Sequence, residues 1–207
     1  MPKLQIIYQD ASLLILDKPA GLLAVPGRGA DKLDSLATRV QVEFPDALVV
    51  HRLDMATSGL MLFARGAEMQ SRLSAMFRER EIAKRYVAIV AGKLTNESGE
   101  IDLPLSPDWP NRPKQQVNLA AGKPSLTRYR LLAYDEKSYT SRVALEPITG
   151  RTHQLRVHLA AIRHPILGDA LYGNPTTAPR LLLHAIELRF AHPLSGELIV
   201  CESAANF

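Results

Sequence analysis

One cysteine stands in 207 residues, Cys201. A single thiol closes no intramolecular disulfide and excludes metal sites built on paired cysteines, so a reducing compartment is expected. Long apolar runs are missing too, with none near the ~20 residues of a spanning helix. The opening Met1-Pro2-Lys3-Leu4-Gln5-Ile6-Ile7-Tyr8-Gln9-Asp10 lacks the positive region and apolar core of a secretory signal. A soluble cytosolic protein without a membrane partner is expected. Charge of one sign is in only slight excess: 25 Lys and Arg against 21 Asp and Glu leave +4. That balance draws a protein towards polyanions without making it a basic tail. Catalytic signatures of other classes are absent. There is no Gly-x-Ser-x-Gly for a serine hydrolase and no His-Glu-x-x-His for a zinc enzyme, and Pro124 interrupts Ala121-Gly122-Lys123-Pro124-Ser125 as a phosphate loop. His153 and His158, five apart, do not share a helix face as i,i+4 ligands would, and with His164 they make a poor metal set. Neither a metal nor a cofactor is expected.

What is present is an ordinary globular composition, 46% apolar, with no repeat or flexible linker. The apolar runs Leu4 to Tyr8 and Leu13 to Leu16 flank a polar turn and predict a β-hairpin, ended by Lys18-Pro19-Ala20-Gly21. Asp34 to Phe44 predicts a helix stopped by Pro45. Glu68 to Glu81 predicts an amphipathic helix with Met69, Leu73, Met76 and Phe77 on its core face. Ile82 to Ala91 alternates as a strand that points Lys84 and Tyr86 the same way. The proline-rich stretch from Leu103 to Lys114 predicts a long surface loop. Thr127 to Tyr134 and Ser141 to Glu146 form a second hairpin. Thr152 to Arg163 predicts a helix with Thr152 as N-cap, Leu155, Leu159 and Ile162 on an apolar face, and Arg156 on another. A loop over 165–179, a strand over 180–190 and a last strand over 198–200 follow. The expected architecture is one α+β domain, residues 1–207, with a mostly antiparallel sheet.

The run His51-Arg52-Leu53-Asp54-Met55-Ala56-Thr57-Ser58-Gly59-Leu60 sets an arginine and a carboxylate in a turn just ahead of the apolar Leu60-Met61-Leu62-Phe63-Ala64. An arbitrary Arg-x-Asp triplet is most often a solvated surface turn, but a charged turn poised on a buried strand is a candidate active site. The carboxylate of Asp54 is available at neutral pH without a separate activating base. Arg52 and Arg151 are the candidate cations. Arg151 precedes a helix start, where anions are welcome, and a bidentate contact from it would lower the Asp54 pKa and fix its rotamer. Taken alone, Arg151 is more often a phosphate contact or a surface charge. Tyr86, in Ala83-Lys84-Arg85-Tyr86-Val87-Ala88, offers a stacking face and a polar tip, although a strand tyrosine is more often core. Leu183 and His184, in Arg180-Leu181-Leu182-Leu183-His184-Ala185, read only as buried strand.

Four segments spanning positions 18 to 185 resemble, in order, the motifs of the RluA family of RNA pseudouridine synthases. The resemblance implies that family's α+β fold: a mixed, mostly antiparallel sheet flanked by helices and loops, with a central RNA-binding active-site cleft. It also implies a cofactor-free isomerisation in which the bond from uracil N1 to C1′ breaks, the base turns, and C5 rejoins the sugar. In the family the matching aspartate is the nucleophile, which assigns that role to Asp54. Attack at C1′, attack at C6 and help in removing a sugar proton are all open to it. By the same resemblance Arg151 pairs with Asp54, Tyr86 packs on the uracil and helps move a proton, and Arg52 enters the stack as the target nucleotide flips out. His51, Thr57 and Lys84 are expected to contact substrate, with Leu183 and His184 lining the pocket.

Asp108-Trp109-Pro110-Asn111-Arg112-Pro113-Lys114-Gln115 and Arg78-Glu79-Arg80-Glu81 resemble a dual-specificity member of the family. That member modifies a large-subunit ribosomal RNA hairpin and the anticodon stem-loop of several tRNAs, and the same structured RNAs are the expected partners here. No S4-type RNA-binding domain, which many relatives carry, is expected ahead of so short an N-terminus. Phosphate contacts are then expected from Arg112 and Lys114, with Lys123, Arg78, Arg80 and Arg85 as further basic candidates. A monomer is expected. Two other classes fit the residues less well. A non-catalytic RNA-binding module has no need of Asp54, Tyr86 and Arg151 together, and a glycosidase wants a second carboxylate that the matched motifs lack.

Overall fold

The structure is a computed structural model, and it describes residues 4–29 and 32–207. Met1, Pro2 and Lys3, at the head of the segment read as lacking a signal, lie outside the described residues. The chain forms two compact units. One takes the chain up to Lys84 together with His184–Asn206, and the other takes Arg85–Leu183 with Phe207.

In the first unit, β1 (Ile6–Gln9) and β2 (Leu13–Lys18) form the expected hairpin, closed by Asp10, whose carboxylate accepts the Ser12 and Leu13 backbone N–H groups. α1 (Leu36–Glu43) starts at Ser35, which forms a reciprocal capping box with Thr38. β2 pairs antiparallel with β4 (Ser58–Arg65) along its whole length. The other edge of β4 is shared: β3 (Ala47–Val49) takes its end and β11 (Leu183–Ala191) takes its start, in parallel. β12 (Leu198–Glu202) pairs antiparallel with β11. Leu13 to Leu16 and Leu60 to Ala64 are all fully buried, so these strands read as continuous apolar runs and not as alternating ones. α2 (Ala67–Glu79) lays Met69 and Leu73 on the face carrying Leu13, Ile15, Leu60 and Leu62. Burying Leu73 there contributes about 1.5–3 kcal/mol. The helix stops two residues before its expected end because Arg80 turns left-handed, φ 66°. Burial in this core pushes the Cys201 thiol pKa up.

In the second unit, β5 (Ala83–Ala91), β10 (Thr140–Pro147), β9 (Leu126–Asp135) and β6 (Ser98–Asp102) pair antiparallel in that order. β10 alternates cleanly, with Ser141, Val143, Leu145 and Pro147 inward, as a strand covered on one face must. α3 (Gln154–Ala161) packs on β9 and β10.

Three expectations are corrected. The stretch expected to be wholly loop contains β7 (Leu105–Pro107), which pairs with β8 (Gln115–Val117) as a small ribbon, leaving only 108–114 as its loop. Pro107 is tolerated there because a two-stranded ribbon consists of edges. Thr152 does not cap α3: His153 occupies that position in the left-handed region, φ 54°, with no side-chain cap. Nor is the face of α3 along Arg156 set apart from the apolar one by exposure, since residues 154 to 159 are all buried. Among the described residues no helix is long and apolar enough to cross a membrane.

Candidate active site

Asp54 sits in a turn closed by the Thr57 N–H to the Asp54 carbonyl, 3.1 Å, immediately before β4. A second segment fixes this turn. Lys18, at the end of β2 and wholly buried, donates to the carbonyls of Pro19 (2.9 Å), Leu22 (2.8 Å) and Met55 (3.1 Å). The Met55 carbonyl also accepts the Gly21 N–H at 2.8 Å. Burial pulls the Lys18 ammonium down to about 8, against the opposing pull of the Asp54 and Asp17 carboxylates. A buried positive charge thus stands in the field of Asp54, and its three N–H donors tie the Pro19–Leu22 loop to the backbone of Met55, the next residue. Sequence periodicity did not single out Lys18; its only signal was its place in the Lys-Pro-Ala-Gly turn.

Behind the turn, Gly59 has φ 112°, and a Cβ there would lie 2.4 Å from the Ala185 carbonyl oxygen. Only glycine lets β4 approach β11 so closely. Beside it, Ser58 and His184 meet at 2.8 Å through Nδ1, and His184 Nε2 lies 3.0 Å from Ser203, whose hydroxyl donates to Asp17. With the Ser203 hydroxyl donating to Asp17, Nε2–H donates to Ser203, and in a neutral imidazole Nδ1 then accepts from Ser58. His184 is therefore a buried strut of the Asp54-bearing unit, and Thr57 is buried with it.

His51 is placed by a gap in the sheet. Leu62 lies between the part of β4 paired with β3 and the part paired with β11, and its N–H donates to His51 Nε2 at 2.9 Å. The imidazole also stacks on Phe77, centroids 4.5 Å apart. Burial, then the Lys84 charge, push its pKa down to about 3. Lys84 lies over the same Phe77 ring, its own pKa lowered by burial and then by Arg80. Arg52 is exposed. Between pH 6.5 and 3 the unfolded chain binds a proton at His51 that the folded chain refuses, so stability falls as pH falls. His51→Gln keeps an acceptor for Leu62 without this proton. In urea melts, wild type is expected to lose about 2 kcal/mol more than the variant between pH 7.5 and 5. Equal losses would mean that His51 is not held neutral.

In the second unit, the Arg151 turn is organised by Gln154, a buried residue that sequence reasoning did not single out. Its Oε1 accepts the Arg151 N–H (3.0 Å) and the Thr149 hydroxyl (2.7 Å), while its Nε2 donates to the Leu126 carbonyl (2.9 Å) and Thr127 Oγ1 (3.0 Å). Every hydrogen-bonding position of the amide is used. The Arg151 side chain is exposed, and its Nε donates to the Pro124 carbonyl at 3.2 Å. Buried His158 continues the network between Thr127 Oγ1 and the Leu103 carbonyl, both 2.9 Å, and burial lowers its pKa. Tyr86 is half-buried on β5 opposite Leu145, and Leu183 is buried.

Beneath α3 lies an ion pair. Arg156 Nε and Nη2 grip Asp169 Oδ2 and Oδ1 at 2.8 and 2.7 Å, with side-chain exposures of 5% and 0%. Burial opposes ionisation of Asp169, but Arg156 and the N–H groups of Leu171 and Tyr172 outweigh it and leave its pKa lowered. The Arg156 guanidinium also covers the Tyr172 ring at 5.2 Å. The Tyr172 hydroxyl accepts the Gln115 N–H and meets His153 Nδ1, both at 2.7 Å. One hydroxyl therefore ties the base of the β7–β8 ribbon to the Arg151-Thr152-His153 turn. The ribbon's loop carries exposed Arg112 and half-buried Lys114, and Lys123 lies exposed beside β7.

An aspartate turn thus stands ahead of a buried strand in one unit, and a tyrosine strand and an arginine turn lie in the other. Residues 12–161 match the RNA pseudouridylate synthase family, and the chain belongs to that family of pseudouridine-forming isomerases. The dual-specificity RNA pseudouridine synthase RluA of Escherichia coli K12 is 49% identical over 209 aligned residues, covering 100% of this chain and 95% of that protein. RluA of Yersinia pestis is likewise 49% identical, covering 98% of this chain and 99% of its own length. The solved structure of human RNA pseudouridylate synthase domain containing 1 superposes with a TM-score of 0.81 at 28% identity, covering 98% of this chain and 83% of that one.

Proposed function

We propose that the chain isomerises uridines to pseudouridine in two structured RNAs, a large-subunit ribosomal RNA hairpin and tRNA anticodon stem-loops, acting as a monomer in the cytoplasm. The observation that carries this reading is the near-half identity, over essentially its full length, to enzymes named as dual-specificity synthases. Asp54 is the nucleophilic carboxylate, held in its turn through the backbone by Lys18. Arg151 holds Asp54, Tyr86 stacks on the uracil and helps transfer a proton, and Arg52 replaces the extruded base in the stack. Extraction costs a few kcal/mol and is smallest in loops, which favours hairpin and anticodon targets. Arg112 and Lys114 neutralise phosphates, and both units serve one catalytic domain. The atoms balance without a co-reactant: the N1–C1′ bond breaks, the C5–C1′ bond forms, C5 gives up its proton and N1 gains one.

The test is release of tritium from C5-labelled uridine in an anticodon stem-loop and in an unmodified ribosomal RNA hairpin, with the product identified after nuclease digestion. Release from both RNAs with pseudouridine recovered is expected. Release from only one removes the dual specificity, and free uracil as product makes the protein a glycosidase instead.

A further inference from the structure

The loop joining β7 to β8 presents Trp109 to solvent at 65% exposure, and this is the only tryptophan of the chain. A large aromatic side chain left in water forgoes the burial that makes its type favourable, so a role in the core does not explain it. The Arg112 guanidinium lies over the indole, 3.6 Å from the ring centroid, close enough for a cation–π stack. The loop beneath is tightly built. Asp108 N–H donates to the Lys114 carbonyl (3.0 Å), Lys114 N–H to the Asn111 carbonyl (3.0 Å), and Asn111 N–H to the Asp108 carbonyl (3.1 Å). The Asn111 amide also donates to both Asp108 carboxylate oxygens, at 3.1 and 3.0 Å. Gln115, the next residue, is fixed to Tyr172.

Resting on the proposed function, we propose that Trp109 with Arg112 is a stacking platform for an unpaired nucleobase of the RNA substrate, at a position other than the uridine that reacts. The indole supplies a flat apolar face, which every base can use irrespective of its hydrogen-bonding edge. Arg112 covers one face of the ring, so the base stacks on the other. The guanidinium edge and Lys114 are then left for the flanking phosphates. A platform on a braced loop loses little conformational entropy on binding. Since neither group reads a base edge, the platform selects RNAs with a base splayed out near the target and tolerates its identity.

The single tryptophan makes the test direct. Titrating wild type with an anticodon stem-loop should quench Trp109 fluorescence to saturation, with the midpoint equal to the dissociation constant from filter binding. Trp109→Leu, apolar but not flat, should raise KM by roughly 5- to 150-fold, the range for losing one stacked base, with kcat at saturating RNA within about 2-fold on that same basis. Trp109→Phe should recover most of the loss, and all three proteins should unfold at similar temperatures. RNA binding without quenching, or a Leu variant with the wild-type KM, would overturn the platform. Tritium release by wild type is measured separately: pseudouridine without quenching leaves the enzymatic reading standing and removes the platform, whereas quenching without pseudouridine does the reverse.

Discussion

Asp54→Asn is expected to reduce pseudouridine formation by a factor on the order of 10^4 or more, the scale of losing a catalytic nucleophile, while RNA affinity stays within a few-fold. Asparagine is nearly isosteric but carries no charge and is no nucleophile. Backbone bonds at the turn do not depend on the side chain at 54: the Thr57 N–H bonds the carbonyl of residue 54, and Lys18 and Gly21 bond the Met55 carbonyl. Loss of turnover therefore reports the carboxylate and not a displaced loop. Lys18 supplies a second readout, because the Asp54 charge is one of the two that support its ammonium against burial. Its pKa should fall below about 8 in the variant. Single-turnover tritium release and filter binding on the same preparation separate chemistry from affinity. A variant that retains substantial turnover would remove Asp54 from the nucleophile's role.

The second large effect is on stability. Asp169→Ala leaves Arg156 buried at 5% exposure without its carboxylate, and breaking a buried pair from one side costs about 3–5 kcal/mol. At about 2–4 °C for each kcal/mol in a protein of this size, Tm should fall by roughly 6–20 °C. The double variant Arg156→Met/Asp169→Leu removes both charges and should recover most of that loss, since well-packed apolar residues replace buried ion pairs at little cost. Calorimetry on the two proteins decides between a pair that matters for its charges and a site that matters for its packing. Equal losses in single and double variants would favour packing.

Local signals made much of the fold legible in the sequence. The β1–β2 hairpin, α1 before Pro45, the Met/Leu stripe of α2 and the alternation of β10 all depend on residues within one element and its nearest turn. What escaped depends on partners far along the chain. Arg156 reads as a polar helix position until Asp169 is folded against it, and the cap expected at Thr152 gives way because Gln154 organises that turn from inside the helix. The three-residue β3 and β7 carry too few residues to show a period. Within the candidate site, Asp54, Tyr86 and Arg151 were singled out by family motifs. Lys18 and Gln154 were not, because their importance lies in which backbone groups they satisfy, and no pattern of residue types encodes that.

The unit bearing Asp54 is discontinuous: its strands β2 and β4 are made early, but β11 and β12, which complete its sheet, come more than a hundred residues later. The Ser58–His184 bond closes a separation of 126 residues, and Ser203–Asp17 one of 186. On a translating ribosome at about 5–20 residues per second, β4 waits several seconds for its parallel neighbour. During that interval the edge at Ser58 and Gly59 is unpaired, a template for pairing with the wrong strand. Folding of the aspartate turn is thus tied to the arrival of His184, and a nascent chain released before that point carries the motif without the sheet that supports it.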